Sequence, residues 1–247
     1  MEEMLRTAER EFDSPLDTLQ NESFRDDDAQ RSDERFFETT PVDSWRYEYI
    51  KRTWDISLAV VLVILFAIPG LLIAAAILLT SKGGIFYREE RIGRRGQPFR
   101  IWKFRSMHAN RRAHERDANS LHTVIEFDRR TRKHLGDRRI TMVGKVLRRW
   151  SLDEFPQLIN VLRGEMSLVG PRPIVRSEMA LYGTRIHYYL KATPGLSGLW
   201  QVSGRSLVGY EQRAKMDALY VQSWSLETDV FILFRTIPAV LGRIGAF

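Results

Sequence analysis

"DISLAVVLVILFAIPGLLIAAAILLTSK", Asp55 to Lys82, is the stretch on which the fold turns. From Ile56 to Ser81 it carries no charge over 26 residues. About 20 apolar residues suffice to cross the hydrocarbon core of a bilayer, so the stretch reads as a membrane-inserted helix. Pro69 sits near its middle. Proline lacks a backbone N–H and crowds the preceding turn, so a break or kink is expected there. Cations flank both ends: Arg46, Lys51 and Arg52 before the run, and Lys82, Arg88, Arg91, Arg94 and Arg95 after it. Cationic flanks mark the cytoplasmic side of a membrane. A straight span satisfies that rule at one end only. A helix bent at Pro69 that enters and leaves by the same face satisfies it at both, so a re-entrant helix is expected. A plain kinked span with a weak charge bias is the alternative.

On either side of this segment the composition differs. Residues 1–50 hold 15 acids and 6 bases, whereas residues 51–247 hold 16 acids and 32 bases. A basic body with a separate acidic tail points to an anionic partner: a membrane surface, a phosphorylated substrate or nucleic acid. Nucleic acid is disfavoured because no recognised nucleic-acid-binding fold is legible. "NESFRDDDAQRSDERF" buries too little apolar surface to offset chain entropy, so residues 1–45 are expected to be an acidic disordered tail. Asp26 and Asp28 have the D-x-D spacing of some metal-holding sugar transferases, but no strand or turn frames them. At 247 residues, one domain with appendages is the natural expectation. The chain has no Cys, which excludes disulfides and thiolate metal sites.

After the membrane segment, "GIFYREERIGRRGQPFRIWKFRSM" reads as a β-hairpin turning at Gly93, Gly96 and Pro98. The period of two puts Phe99, Ile101, Lys103 and Arg105 on one strand face. Two cations thus project together, as a solvated face or as one wall of a phosphate pocket. No G-x-x-x-x-G-K-S/T loop occurs, which argues against a P-loop enzyme. His108, His114, His122 and His134 lack the i, i+4 spacing of a zinc helix and read as surface residues.

"RRWSLDEFPQLINVLRGEMSLVGPRP", Arg148 to Pro173, places Asp153 and Glu154 side by side in a basic setting. Ser151 with Glu154 fits a capping box, Glu154 reaching back to the Ser151 backbone, and Gly164 would stop the helix. That reading leaves Pro156 unexplained, since it costs a helical hydrogen bond. The helix dipole, Arg148 and Arg149 are expected to keep Asp153 ionised. An ionised carboxylate among cations suits a nucleophile toward phosphorus better than a general acid. The adjacent Glu154 could share a divalent cation that neutralises substrate phosphates.

"KRTWD", "KFRSM", "TMVGKVLRRWSLDEFPQLINVLRGEMSLVGPRP" and "PGLSGLWQVSGR" together resemble the bacterial sugar transferase family, the monotopic polyprenyl-phosphate glycosyl-1-phosphate transferases. The similarity covers residues 48–247, and several long motifs in order make it specific. The closing "YVQSWSLETDVFILFRTIPAVL" looks most like members that start exopolysaccharide repeat units with a hexose-1-phosphate, galactose foremost and glucose next. The resemblance implies a covalent route in which Asp153 attacks the sugar-linked phosphate of a UDP-sugar, UMP leaves, and polyprenyl (undecaprenyl) phosphate takes up the sugar-phosphate. It implies that Glu154 binds Mg²⁺ and that Lys103, Arg148, Arg172 and Arg205 line the phosphate site. Members often have Ser before the helix-breaking proline, where this chain has Ile68 before Pro69.

The fold class expected is α+β, mainly helical: a re-entrant membrane helix over residues 46–82 and a hairpin-bearing catalytic domain over 83–247. Interfacial amphipathic helices complete it. The C-terminal "TDVFILFRTIPAVLGRIGAF" suits a helix lying in the membrane interface with Arg235 and Arg243 at headgroups, or an ordinary core helix. Trp200, Trp224 and Tyr220 would anchor at that interface or simply pack. The implied location is the bacterial inner membrane, with the catalytic domain on its cytoplasmic face. Implied partners are the bilayer, a UDP-sugar and polyprenyl phosphate, with room for downstream glycosyltransferases and a second copy. A non-catalytic scaffold for polysaccharide assembly is the alternative of another class.

Overall fold

The computed structural model describes residues 39–108, 139–204 and 208–241. Residues 1–38 of the expected acidic tail fall outside it, as do His114, His122, His134, Arg205 and Arg243. The described part is mostly helical, with two small sheets.

Thr40 starts a 3-10 turn, Pro41–Asp43, by donating from both its amide and its hydroxyl to Asp43 Oδ2 at 2.9 Å. A π-helical turn, Arg46–Lys51, leads into α1, Arg52–Thr80. This helix is long and apolar enough to cross a membrane by length and composition. It runs uninterrupted through Pro69. Proline's fixed φ is compatible with a helix, so losing one ladder bond need not end it. Ile64, Leu65, Ile68, Leu71 and Leu72 are 64–72% exposed and form an apolar flank with none of the described residues packed over it.

Elsewhere α1 is held along its length. Near its start, Asp55 Oδ1 accepts the Leu168 amide at 3.1 Å, and Arg52 donates to the carbonyls of Val161 and Leu162. Lys51 is buried and donates to Asp229 Oδ2 at 2.6 Å. In the middle, Phe66 stacks on Phe155 with ring centroids 3.9 Å apart. Near the end, Ile77 is buried with Phe104 and Leu147. Arg105 then donates to the Ser81 carbonyl at 2.8 Å. The expectation that Lys51 and Arg52 act as headgroup-facing flanks is thus corrected. Asp229 claims the Lys51 side chain and the Val161 and Leu162 carbonyls claim that of Arg52, through hydrogen bonds that a charged donor strengthens.

β1, Phe86–Ile92, pairs antiparallel with β2, Pro98–Phe104. The connection uses positive φ at Arg95 (58°) and Gly96 (75°). α2, Met142–Arg149, is capped by Thr141, whose hydroxyl accepts the Gly144 amide at 2.8 Å. Gly144 is required by packing: a Cβ there would lie 1.9 Å from the Ser106 carbonyl oxygen. A 3-10 helix, Leu152–Gln157, runs into α3, Leu158–Arg163, which ends at Gly164 with φ 84°. Buried Asn160 ties α3 to β2, accepting the Trp102 amide at 3.0 Å and donating to the Arg100 carbonyl at 2.8 Å. β3, Ser167–Val169, pairs in parallel with β4, Gly195–Ser197. Between these strands lie a 3-10 stretch, Arg176–Arg185, and α4, Ile186–Lys191. α5, Leu199–Val202, α6, Tyr210–Gln222, and α7, Leu226–Leu241, complete the chain.

One core cluster joins Ile92, Ile174, Tyr182, Tyr189 and Ala214. Trp200, Trp224 and Tyr220 are all buried, so they pack rather than meet an interface. α7 is two-sided: Asp229 and Ile232 are fully buried, whereas Phe234 and Ile237 are exposed.

Candidate active site

The β1–β2 pair supplies the first wall. In its register Tyr87 lies opposite Lys103 and Glu89 opposite Ile101, so these side chains share a face. Arg91, two residues beyond Glu89, belongs to that face as well. It donates to Glu89 Oε2 at 2.7 Å and to the Pro173 carbonyl at 3.2 Å.

The second wall is the 3-10 helix carrying Asp153 and Glu154. The expected capping box is not made. Ser151 takes a left-handed conformation (φ 55°, ψ 22°) and its side chain caps nothing. Glu154 instead accepts from Lys103 Nζ at 3.0 Å and lies 3.7 Å from Arg172 Nη2. Two cations outbid one backbone amide for a carboxylate. Both contacts fall on Oε1. Pro156 lies in this 3-10 helix rather than inside an α-helix. Three residues per turn put Glu154 and Gln157 above one another.

The third wall is the turn after β3, which carries Arg172; its guanidinium also lies 6.0 Å from the Trp200 ring. Arg91, Lys103, Glu154, Gln157, Arg172 and Gln201 line a shallow recess. Arg148 stands to one side and donates to Ser106 Oγ at 2.9 Å. His108 is exposed, as expected.

The electrostatics divide the two carboxylates. Burial opposes ionisation of Glu154, but Lys103 first and Arg172 next more than offset it, and its pKa falls from 4.5 to about 2. Asp153 moves the other way. Burial, then the charge of Glu154, push its pKa up, against Lys103 and Arg148. The cations beside Asp153 thus do not set the direction of its shift, as the sequence suggested they would. Glu154 takes the nearest cations, and a six-residue 3-10 turn offers little of the dipole that an α-helix would. Glu89 is pushed up by burial yet ends below its usual value, because of Arg91, then Lys103 and Arg172. Lys103 and the carboxylates Glu89, Asp153 and Glu154 thus form one mutually polarised set.

Among the described residues no cluster of three or more His, Asp or Glu side chains could hold a metal by itself. Glu154, whose two cation contacts fall on Oε1, would be the ligand for the expected Mg²⁺, an ion usually held by one or two carboxylates with water and substrate phosphate completing its shell.

The structure thus brings Asp153, Glu154, Lys103 and Arg172 together, with Arg148 beside them. Arg205 lies outside the described residues. Sequence reasoning missed Glu89, Arg91, Gln157 and Gln201. The first two carried a signal: the period-two argument applied to β2 works equally on "YREER" in β1.

A profile of the family described as "Bacterial sugar transferase" matches residues 46–243. The chain belongs to that family. It is 46% identical over 198 residues to exopolysaccharide production protein ExoY of Sinorhizobium fredii, covering 80% of this chain and 88% of that one. It is 45% identical over 202 residues to the undecaprenyl-phosphate galactose phosphotransferase of Salmonella typhimurium, covering 81% of this chain but 42% of that longer protein. It is 41% identical over 205 residues to the UDP-glucose:undecaprenyl-phosphate glucose-1-phosphate transferase of Caulobacter vibrioides, covering 80% of this chain and 72% of the relative.

Proposed function

We propose that this protein transfers a hexose-1-phosphate from a UDP-sugar to polyprenyl (undecaprenyl) phosphate, releasing UMP, as the first step of an exopolysaccharide repeat unit. The observation that carries the proposal is a recess lined by Glu154, Lys103 and Arg172, with Asp153 next to Glu154 in a 3-10 helix whose Phe155 stacks on Phe66 of the apolar helix. That combination suits a water-soluble anionic donor and a membrane-held acceptor.

Lys103 and Arg172 bind the donor's diphosphate, exchanging part of their contact with Glu154 for phosphate oxygens. Arg148 and Lys103 favour the ionised form of Asp153, which its surroundings otherwise disfavour. An Asp153 carboxylate oxygen attacks the sugar-linked phosphorus, the bond from that phosphorus to the UMP oxygen breaks, and UMP leaves. The phosphate of the lipid then attacks the same phosphorus and displaces Asp153, regenerating the carboxylate. Arg205 is proposed as a further phosphate ligand. Mg²⁺ held by Glu154 supplies charge neutralisation at the phosphates when bound.

Galactose is proposed as the hexose, with glucose as the alternative, because relatives named for each have similar identity to this chain. The membrane arrangement proposed is monotopic and re-entrant, at the cytoplasmic face of the inner membrane, with residues 46–82 inserted and 83–247 catalytic. Support comes from α1, whose start, middle and end all contact the same folded body. The exposed apolar residues of α7, Phe234 and Ile237, suit an interfacial helix.

Intact mass after incubation with UDP-sugar and no lipid tests the chemistry. Wild type should gain one hexose-phosphate and Asp153→Asn none, while Glu154→Gln should be severely slowed with residual activity needing more metal. An adduct persisting in Asp153→Asn refutes the nucleophile. An adduct absent from wild type, with no UMP released, would leave only the scaffold reading.

A further inference from the structure

A second polar cluster lies at the base of α1, outside the recess. Lys51, Asp55 and Asp229 are 2%, 3% and 0% exposed, and none has a part in the chemistry above. Asp229 of α7 accepts from Lys51 Nζ at 2.6 Å and from Trp224 Nε1 at 3.2 Å on one oxygen. Tyr220 OH lies 2.7 Å from its other oxygen and 3.1 Å from the Val169 carbonyl. Lys51 is also 3.9 Å from Asp55 Oδ2. Asp55 Oδ1 accepts the Leu168 amide.

Lys51 is thus shared unequally between two carboxylates. Asp229 holds it closely, which leaves Asp55 free to hold β3. The β3 backbone continues through Gly170 and Pro171 into Arg172. Gly170 is pinned on its other side, donating its amide to the Ser197 carbonyl at 2.9 Å. Any slip of β3 is passed along four residues to the arginine whose guanidinium faces Glu154.

We propose that Asp229 is a positioning residue for the donor phosphate site. By engaging Lys51 it keeps Asp55 on the Leu168 amide, and so places Arg172. Without the Asp229 charge, the nearest anion to a buried Lys51 is Asp55. An unpaired buried cation is costly enough to draw that carboxylate across. Leu168 then loses its acceptor, β3 shifts, and Arg172 moves away from the phosphate. This inference rests on the transferase reading for its kinetic arm only.

The test compares Asp229→Asn with the double variant Asp229→Asn/Lys51→Met, both as full chains in detergent micelles. Hydrogen exchange at the Leu168 amide should speed up about 10-fold or more in the single variant and return toward wild type in the double, where no charge pulls on Asp55. KM for the UDP-sugar should rise about 10-fold in the single variant with a smaller change in kcat, and recover in the double. Should the single variant fail to fold, Asp55→Asn against Asp55→Leu tests the Asp55–Leu168 link through which Asp229 is proposed to act. Asn keeps an oxygen for Leu168 and should keep KM; Leu has none and should raise it. Unchanged exchange at Leu168, or a double variant as impaired as the single, overturns the proposal. So does a loss of active protein at constant KM, the signature of a purely structural role. Exchange is read without turnover, so absence of UMP release from wild type would refute the transferase reading alone.

Discussion

The re-entrant arrangement makes a prediction whose size follows from helix length. Asp55 and Ile77 are 22 positions apart on one helix, which is about 33 Å along its axis. That matches the roughly 30 Å of a bilayer core. In a straight span with Asp55 held at β3, Ile77 would reach the far leaflet and face lipid. In the structure it is 1% exposed, between Phe104 and Leu147. The two arrangements therefore differ in what Ile77→Ala costs. Packed against protein, the loss should be about 2–5 kcal/mol. Facing lipid it should be near zero, since lipid tails are as apolar as the side chain removed. Leu79, 87% exposed, is the internal control and should tolerate alanine. Thermal unfolding in micelles measures both variants. Labelling completes the assay, because the chain has no native cysteine. Single cysteines at exposed Arg46 and Lys82 should both be shielded from an impermeant thiol reagent in intact cells and should both react after lysis. If Ile77→Ala matches Leu79→Ala and the Lys82 cysteine is labelled from outside, the re-entrant reasoning is wrong.

Three further outcomes are expected. Lys103→Met should move the acid limb of UMP release to higher pH, since Lys103 is the first of the two cations that lower the raised pKa of Asp153; a pH–rate profile with an unmoved limb refutes this. The depressed pKa of Glu154 contributes stability above about pH 4.5, lost as pH falls toward 2, at most about 3 kcal/mol; acid unfolding of Lys103→Met should show part of it already missing at pH 7. Arg172→Ala should lower kcat/KM for the UDP-sugar by roughly 10²-fold while the protein stays folded, and wild-type turnover would make the residue decorative. Gly144→Ala forces a methyl onto the Ser106 carbonyl and should cost about 1–3 kcal/mol or more, seen as a lower Tm.

Part of the cluster was legible because its signal is local. Adjacent Asp153 and Glu154 among cations and Lys103 on a period-two strand can be read within a few residues, whereas Arg172 was expected there from the family resemblance. What was misread depends on partners distant in sequence. Glu154 looked like half of a capping box because the sequence shows Ser151 three residues away and does not show Lys103 fifty-one residues away. The direction of the Asp153 shift was misread because the arginines beside it are visible in sequence, whereas burial and the final orientation of Glu154 are not. Lys51 looked like a flank for lipid headgroups until the fold set Asp229, 178 residues on, against it.

The sequence by itself determined that an uncharged 26-residue stretch must leave water, that the body is basic, and that two carboxylates sit together in a phosphate-friendly setting. Composition and short-range spacing suffice for these, since hydrophobic transfer and net charge do not depend on which segments later meet. Only the tertiary structure decided which cations meet Glu154 and which are consumed elsewhere inside the fold. It also decided that both ends of the long apolar helix rest on one body, and that Asp153 rather than Glu154 carries the raised pKa. Burial and ion pairing are properties of neighbours in space, and here those neighbours come from strands and helices that the chain brings together only on folding.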